Sequence, residues 1–177
     1  MQIALNEAAL RAYQTPLHGQ NLPAITLPEL LVSAPFIWMQ FLRHLGCIYC
    51  KGLVQDIRAF IERWNGRVRP KLIFVHPNTL EEGRRFFEEF YPGASFIADP
   101  ELNLYRLFQV RRASFFQQIH VSNLLRLWTL LRRGLSNDRP KADPWLLQAA
   151  FLFHRGKLVW SYYAKTFSDV PDWKRLL

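Results

Sequence analysis

Cysteine is scarce: the 177 residues contain two, Cys47 and Cys50. That excludes a disulfide-stapled scaffold, and a chain of this length holds itself together by burial. The five histidines, at 18, 44, 76, 120 and 154, show no paired spacing, so half of a zinc site, like a pair of inert core thiols, is a lesser alternative to redox chemistry for the CxxC. No stretch approaches the ~18 uninterrupted apolar residues of a membrane span; the nearest, "LLVSAPFIWMQFL", is broken by Ser33, Pro35 and Gln40. The start, "MQIALNEAALRAYQTP", has neither the basic opening nor the continuous apolar run of a secretory signal. There is no internal repeat and no low-complexity run. Carboxylates are also in short supply, 14 against 23 Lys and Arg, and the net charge of +9 favours acidic partners or substrates without bearing on the fold. The expectation is a soluble cytoplasmic protein with no membrane partner.

Half of the residues are apolar, with 14 Phe and 6 Trp among them, enough for a sizeable core. Pro16, Pro23 and Pro28 interrupt a leader over 1–32, which reads as a short helix and a loop, with an edge strand fitting Ala24 to Leu27. The domain proper spans 33–177. "FIWMQFLR" (36–43) reads as a strand buried on both faces. From Cys50 onward Leu53, Val54, Ile57, Phe60, Ile61 and Trp64 share one helical face, and Asn65-Gly66 ends that helix. "KLIFVH" (71–76) is a second strand, Thr79-x-x-Glu82 a capping box, and "ASFIA" (94–98) a third strand. Asp99-Pro100-Glu101 reads as an N-cap with Pro at the first helical position. A helix over 120–133 is expected to put Val121, Leu124, Leu125, Trp128 and Leu131 on its apolar side. "AAFLFHRGKLVWSYYA" gives a hairpin turning at Arg155-Gly156, and a last helix begins at Asp169. The alternation specifies an α/β fold: a central mixed sheet with helices on both faces, closed by a C-terminal hairpin plus helix.

The redox-type dipeptide spacing sits where the first strand passes into the first long helix. Cys47 falls at the helix start, where unpaired N–H groups and the helix dipole favour thiolate. Arg43 and His44 lie within one turn's reach. Cys50, one turn deeper on the same side, begins the buried stripe and stays protonated until attacked. Such a pair suits a cycle in which Cys47 attacks a peroxide or disulfide and Cys50 resolves the product. His44, three residues before Cys47, is a candidate proton donor, and Tyr49, between the cysteines, a candidate contact of the thiolate. Asp56 is read as a solvated position on the same helix, and His76 as a loop-lining residue.

The order strand, Gly-Cys-x-x-Cys, long helix, "DPELNLYRLFQV" and "FLFHRGKLVWSYYAKTFSDVPDW" resembles the thioredoxin-like superfamily over about 33–177. Within it the chain is similar to the peroxiredoxin-like proteins of the alkyl hydroperoxide reductase/thiol-specific antioxidant group, in particular the selenoprotein L-related branch. The resemblance implies a three-layer thioredoxin-like fold, Cys47 as attacking and Cys50 as resolving cysteine, and Arg43 in the "FLR" preceding the pair. Gln40 and His44 stand where ordinary peroxiredoxins have Pro and Thr or Ser. Gln148 stands where thioredoxins carry a substrate-facing cis-proline, which makes it a candidate pocket residue beside Tyr49. No metal or organic cofactor is implied. The implied partners are a thioredoxin- or glutathione-type electron donor and a peroxide or protein disulfide.

A different class of function also fits. Arginines 106, 111, 112, 126, 132, 133 and 139 are interleaved with Phe115, Phe116 and Trp128, so a basic binding module for nucleic acid or an acidic protein, with the thiols as sensor, is the alternative. Nucleic acid is not the expected partner, since no recognised nucleic-acid motif accompanies these residues. Oligomeric state is not legible.

Overall fold

Two β-rich runs meet in the middle of one mixed sheet. The computed structural model describes residues 6–66, 68–114 and 121–173. In chain order it comprises α1 (Glu7–Ala12), β1 (Gly19–Gln20), α2 (Leu27–Val32), β2 (Phe36–Phe41), α3 (Ile48–Glu62), β3 (Lys71–His76), α4 (Leu80–Phe90), β4 (Ser95–Ala98), α5 (Asn103–Leu107), α6 (Val121–Arg132), β5 (Ala149–His154) and β6 (Lys157–Tyr163). The strand order is β1-β4-β3-β2-β5-β6. The central pairs β2/β3 and β3/β4 are parallel, while β1, β5 and β6 join antiparallel. The expected α/β sheet with helices on both faces is therefore present.

Alternation along β2 divides the core. Trp38 and Leu42 pack on one face with side chains from α3, α4 and α6, whereas Ile37, Met39 and Phe41 pack on the other with α1, α2 and α5. A strand buried on both faces reads as a continuous apolar run, which is why β2 was legible. Tyr105 ties the carboxyl ends of the two central parallel strands together, its hydroxyl donating to Leu42 O at 2.5 Å and Val75 O at 3.1 Å. The hairpin turns at Arg155 and Gly156, both at positive φ (48° and 78°), as a two-residue turn matched to strand twist requires.

Four expectations are corrected. The leader's strand is Gly19–Gln20, paired to Phe96 and Ile97, and not Ala24 to Leu27. There Thr26 N–H bonds the Glu29 carboxylate at 3.1 Å, so Pro28 sits in the first turn of α2, where it costs no helical bond. Asp99 does cap a helix, but at a distance: its carboxylate accepts from the N–H groups of Asn103, Leu104 and Tyr105, and α5 begins only after Leu102 adopts a left-handed φ of 59°. Asp169 starts no helix; 169–172 are irregular, and the rest of the expected closing helix lies beyond the described residues, as do Phe115, Phe116 and the start of the expected 120–133 helix.

The fourth correction concerns α6. Its expected apolar side is turned outward: Val121, Leu124, Leu125, Trp128 and Leu131 are 52% to 69% exposed. Asn123, Leu127 and Leu130 face the core instead. Two features of α3 turn the helix this way. Gly52 carries no Cβ, and one placed there would overlap Leu130. Asp56 is not merely solvated; it pairs with Arg126 and, at 2.6 Å, with Arg133.

Candidate active site

β2 ends at the sheet's carboxyl edge, where open α/β sheets place their chemistry. Leu42 N–H still bonds Val75 O at 2.8 Å, and the chain then leaves the sheet through Arg43-His44-Leu45-Gly46. Asn78, after β3, holds this turn by accepting from Leu45 N–H at 3.0 Å. Cys47 N–H bonds His44 O at 3.0 Å, and Cys47 O accepts the first helical bond from Lys51. Cys47 is thus the N-cap of α3, with extended backbone (φ −77°, ψ 125°). Its sulfur takes the place that a capping oxygen would occupy.

Both thiols are free and buried; Cys47 is 2% exposed. Arg43, itself 4% exposed, organises the turn. Its Nη1 donates to Cys47 Sγ at 2.9 Å, Nε to Leu146 O at 2.8 Å and Nη2 to Pro144 O at 2.5 Å. The guanidinium lies 3.4 Å from the centre of the Phe167 ring, and the Arg43 backbone N–H donates to Cys50 Sγ at 3.3 Å. Among the described residues no carboxylate pairs with Arg43, so the sulfur of Cys47 is the anion placed opposite its charge.

The electrostatics separate the two thiols. Burial by itself raises Cys47, but the hydrogen bond from Cys50, the Arg43 charge and the N–H groups of Cys50 and Tyr49 outweigh it and bring the thiol down to about 6. Cys50 goes the other way: burial, its hydrogen bond to Cys47 and the anionic neighbour hold it well above an ordinary thiol. The pair is therefore one thiolate and one thiol at neutral pH. For His44, burial and the adjacent Arg43 depress the imidazole to about 4. It is uncharged at neutral pH, and its Nδ1 has no partner among the described residues.

Of the other candidates, Tyr49 is tied to α6, its hydroxyl donating to Asn123 O at 2.8 Å. Gln148 precedes β5 and is 1% exposed. Strand alternation puts it on the α3 side with Ala150, and neither polar atom of its amide has a partner among the described residues. Arg43, Cys47 and Cys50 form one hydrogen-bonded group; His44 flanks it, and Gln148 shares the sheet face.

Several contributors had no sequence signal, because they come from chain about a hundred residues away. Phe167 and the carbonyls of Pro144 and Leu146 hold Arg43. Asn137 Oδ1 accepts from Ile48 N–H at 2.9 Å, supplying α3 with the side-chain cap that Cys47 does not. Lys51 fastens the same loop through Ser136 O at 2.9 Å and Asp138 at 2.6 Å.

Comparison with known proteins places the fold. No curated protein sequence matches the chain. Peroxiredoxin Q of Xanthomonas campestris, solved as a cysteine-to-serine mutant, superposes with a TM-score of 0.60 at 13% identity over 90% of this chain and 85% of that one. A cysteine-to-serine mutant of PrxQ from Xylella fastidiosa gives 0.57 at 13% over 96% and 86%. A thiol peroxidase from Chromobacterium violaceum gives 0.55 at 12% over 80% and 68%. At such identities the likeness is one of fold, and the fold is thioredoxin-like. The family model for "AhpC/TSA antioxidant enzyme" matches residues 52–166; it singles out no selenoprotein L-related branch, and it begins just after Cys50. With well over half of its length matched by that model and its architecture shared with peroxiredoxins, the chain belongs to the AhpC/TSA antioxidant enzyme family.

Proposed function

We propose that the protein is a peroxiredoxin-like thiol peroxidase that cycles Cys47 and Cys50 between dithiol and disulfide. The observation that carries this reading is the 2.9 Å contact of Arg43 Nη1 with Cys47 Sγ at a helix N-terminus, with a protonated second thiol beside it. Attack of the Cys47 thiolate on a hydroperoxide breaks the O–O bond, leaving Cys47 as sulfenic acid and, after uptake of one proton, releasing an alcohol or water. Cys50 then attacks the sulfenic sulfur. Its proton leaves with the hydroxyl as water, and a Cys47–Cys50 disulfide forms. Two electrons from a thioredoxin- or glutathione-type dithiol or thiol pair restore the start.

Peroxide is favoured over a protein disulfide as oxidant by burial: a sulfur 2% exposed, under Arg43 and Phe167, admits a small molecule more readily than a folded partner's disulfide. Arg43 has a second task, since its donors are aimed where negative charge develops on the leaving oxygen. His44 supplies a neutral N–H, and Gln148 an unpaired amide on the same side. No metal or cofactor enters the cycle. The arginine-rich binding module is less favoured as the main activity, because Arg126 and Arg133 are engaged by Asp56.

The test is single-turnover oxidation by hydrogen peroxide and an alkyl hydroperoxide, with thiol counting and mass spectrometry. Expected are stoichiometric peroxide loss and a reversible loss of two hydrogens, both absent in Cys47→Ser. Peroxide consumption that survives Cys47→Ser, or no consumption by the intact dithiol, removes the proposal.

A further inference from the structure

The outward face of α6 is unexplained by anything above. Val121, Leu124, Leu125, Trp128 and Leu131 form one stripe, each more than half exposed, spanning about 15 Å of helix axis. Contiguous exposed apolar surface of this kind marks a binding surface more often than an accident. Its setting is wholly basic: from Leu102 to Asn137 there are six arginines and not one Asp or Glu. Carboxylates that reach this stretch from elsewhere are already engaged: Asp99 by the N–H groups of Asn103, Leu104 and Tyr105, Glu101 by Asn103, Asp56 by Arg126 and Arg133, and Asp143 by Arg112. Arg132 instead lies over the Trp128 ring at 3.7 Å, its charge at the edge of the apolar stripe.

We infer that α6 docks the protein on an anionic phospholipid surface, lying in the plane of the interface with Trp128 and its apolar neighbours among the acyl chains and the arginines at headgroup level. Apolar residues on one side and arginine at the rim form the pattern of interfacial helices, and a polybasic surface adds attraction to acidic headgroups. A second copy is the poorer occupant, because an isologous contact would bring basic stripes together with no carboxylate from either α6. A convex helical ridge also suits a deformable bilayer better than a rigid partner. No described helix is long and apolar enough to cross a membrane, and the sequence argument against a membrane bears on spanning segments alone.

The test is sedimentation of the full chain with vesicles of phosphatidylcholine, alone or with about one third phosphatidylserine. Binding to the mixed vesicles is expected to exceed that to neutral ones by about tenfold or more at 0.1 M salt, and to fall as salt rises. Leu125→Glu and Trp128→Glu lose that gain while keeping wild-type circular dichroism. Val159→Glu, at an exposed apolar position of β6 (54%), and Cys47→Ser retain it, which separates docking from thiol chemistry. Four results overturn the inference: no binding to the mixed vesicles, equal binding by both α6 variants and wild type, a concentration-dependent dimer that Leu125→Glu dissolves, or capture of soluble polyglutamate in preference to vesicles.

Discussion

Replacing Arg43 by Met isolates the electrostatic activation of Cys47. The guanidinium donates to Cys47 Sγ at 2.9 Å from a buried position. A hydrogen bond to a charged group contributes about 1.5–3 kcal/mol, which at 1.36 kcal/mol per unit is about 1 to 2 pKa units. Cys47, held at about 6, moves to about 7 or 8 in the variant. At pH 7 its thiolate fraction falls from roughly nine-tenths to between a half and a tenth. The alkylation rate at that pH nevertheless changes little. A more basic thiolate is more nucleophilic, and a Brønsted coefficient of about 0.4–0.5 returns roughly six- to tenfold over two units.

The informative assay is therefore the whole pH profile of iodoacetamide labelling, read at the Cys47 peptide by mass spectrometry. The expected result is a midpoint raised by 1 to 2 units, a plateau raised several-fold, and a rate at pH 5.5 lowered by about three- to tenfold. Met also leaves the carbonyls of Pro144 and Leu146 without a donor, at about 1 kcal/mol or more each. Arg43→Lys, which keeps the charge and loses the fork, guards against misreading instability and is expected to give an intermediate midpoint. A midpoint within half a unit of wild type in folded Arg43→Met refutes the argument, because the activation would then come from the helix end and Cys50 alone.

Three further outcomes follow. Cys50→Ala removes the largest of the influences that lower Cys47; its labelling midpoint rises, and peroxide leaves a sulfenic acid trapped by dimedone where wild type forms a disulfide. Asn137→Ala removes the bond to Ile48 N–H and lowers stability by about 1 kcal/mol in denaturant unfolding; an effect near zero would mean that water replaces this cap. Acid pH destabilises the fold through two buried imidazoles, His44 depressed to about 4 and His76, chiefly by burial, to about 3. Because both folded values lie below the unfolded ~6.5, the unfolded chain takes up protons first, and stability falls as pH drops from about 7.5 towards 4. Between pH 8 and 5 the loss is about 2 kcal/mol per histidine; Cys47, held at about 6, adds a loss of similar size over the same window, so His76→Gln should remove about a third of the slope measured by urea unfolding.

The site was half legible, and the division has a physical cause. Cys47, Cys50 and Arg43 sit within eight residues of one another, so the helix start brings the two thiols together and puts Arg43, in the turn just before it, within reach. Strand β2 and the 155–156 turn are equally local. Phe167, Pro144, Leu146 and Asn137 reach the same turn only because β5 pairs with β2 and the preceding loop returns across the start of α3, and no short-range pattern encodes that. The α6 face was misread for the same reason. Periodicity separates apolar from polar sides, but it cannot show that Gly52 opens a berth for Leu130 or that Asp56 draws two arginines inward. A helix with its apolar side outward is the exception that periodicity cannot flag.

The depressed thiol also bears on which state of the pair is favoured. At pH 7 a thiol at about 6 is stabilised in its reduced form, relative to one at the usual ~8.5, by about 1.4 kcal/mol from the extra ionisation. For a two-electron couple that corresponds to about 30 mV towards the oxidising side. Oxidation makes the same point structurally: the disulfide carries no anion, so Arg43 is left facing a neutral sulfur with no carboxylate to replace it among the described residues. The disulfide is thus the form that the surroundings of Cys47 favour less, and reduction by a thiol donor is made easier by that same ~1.4 kcal/mol. Titration of the couple against glutathione should place Arg43→Met at a lower potential than wild type at pH 7, with the gap closing below pH 5, where neither enzyme holds a thiolate; equal potentials at both pH values would show that Arg43 does not distinguish the two redox states.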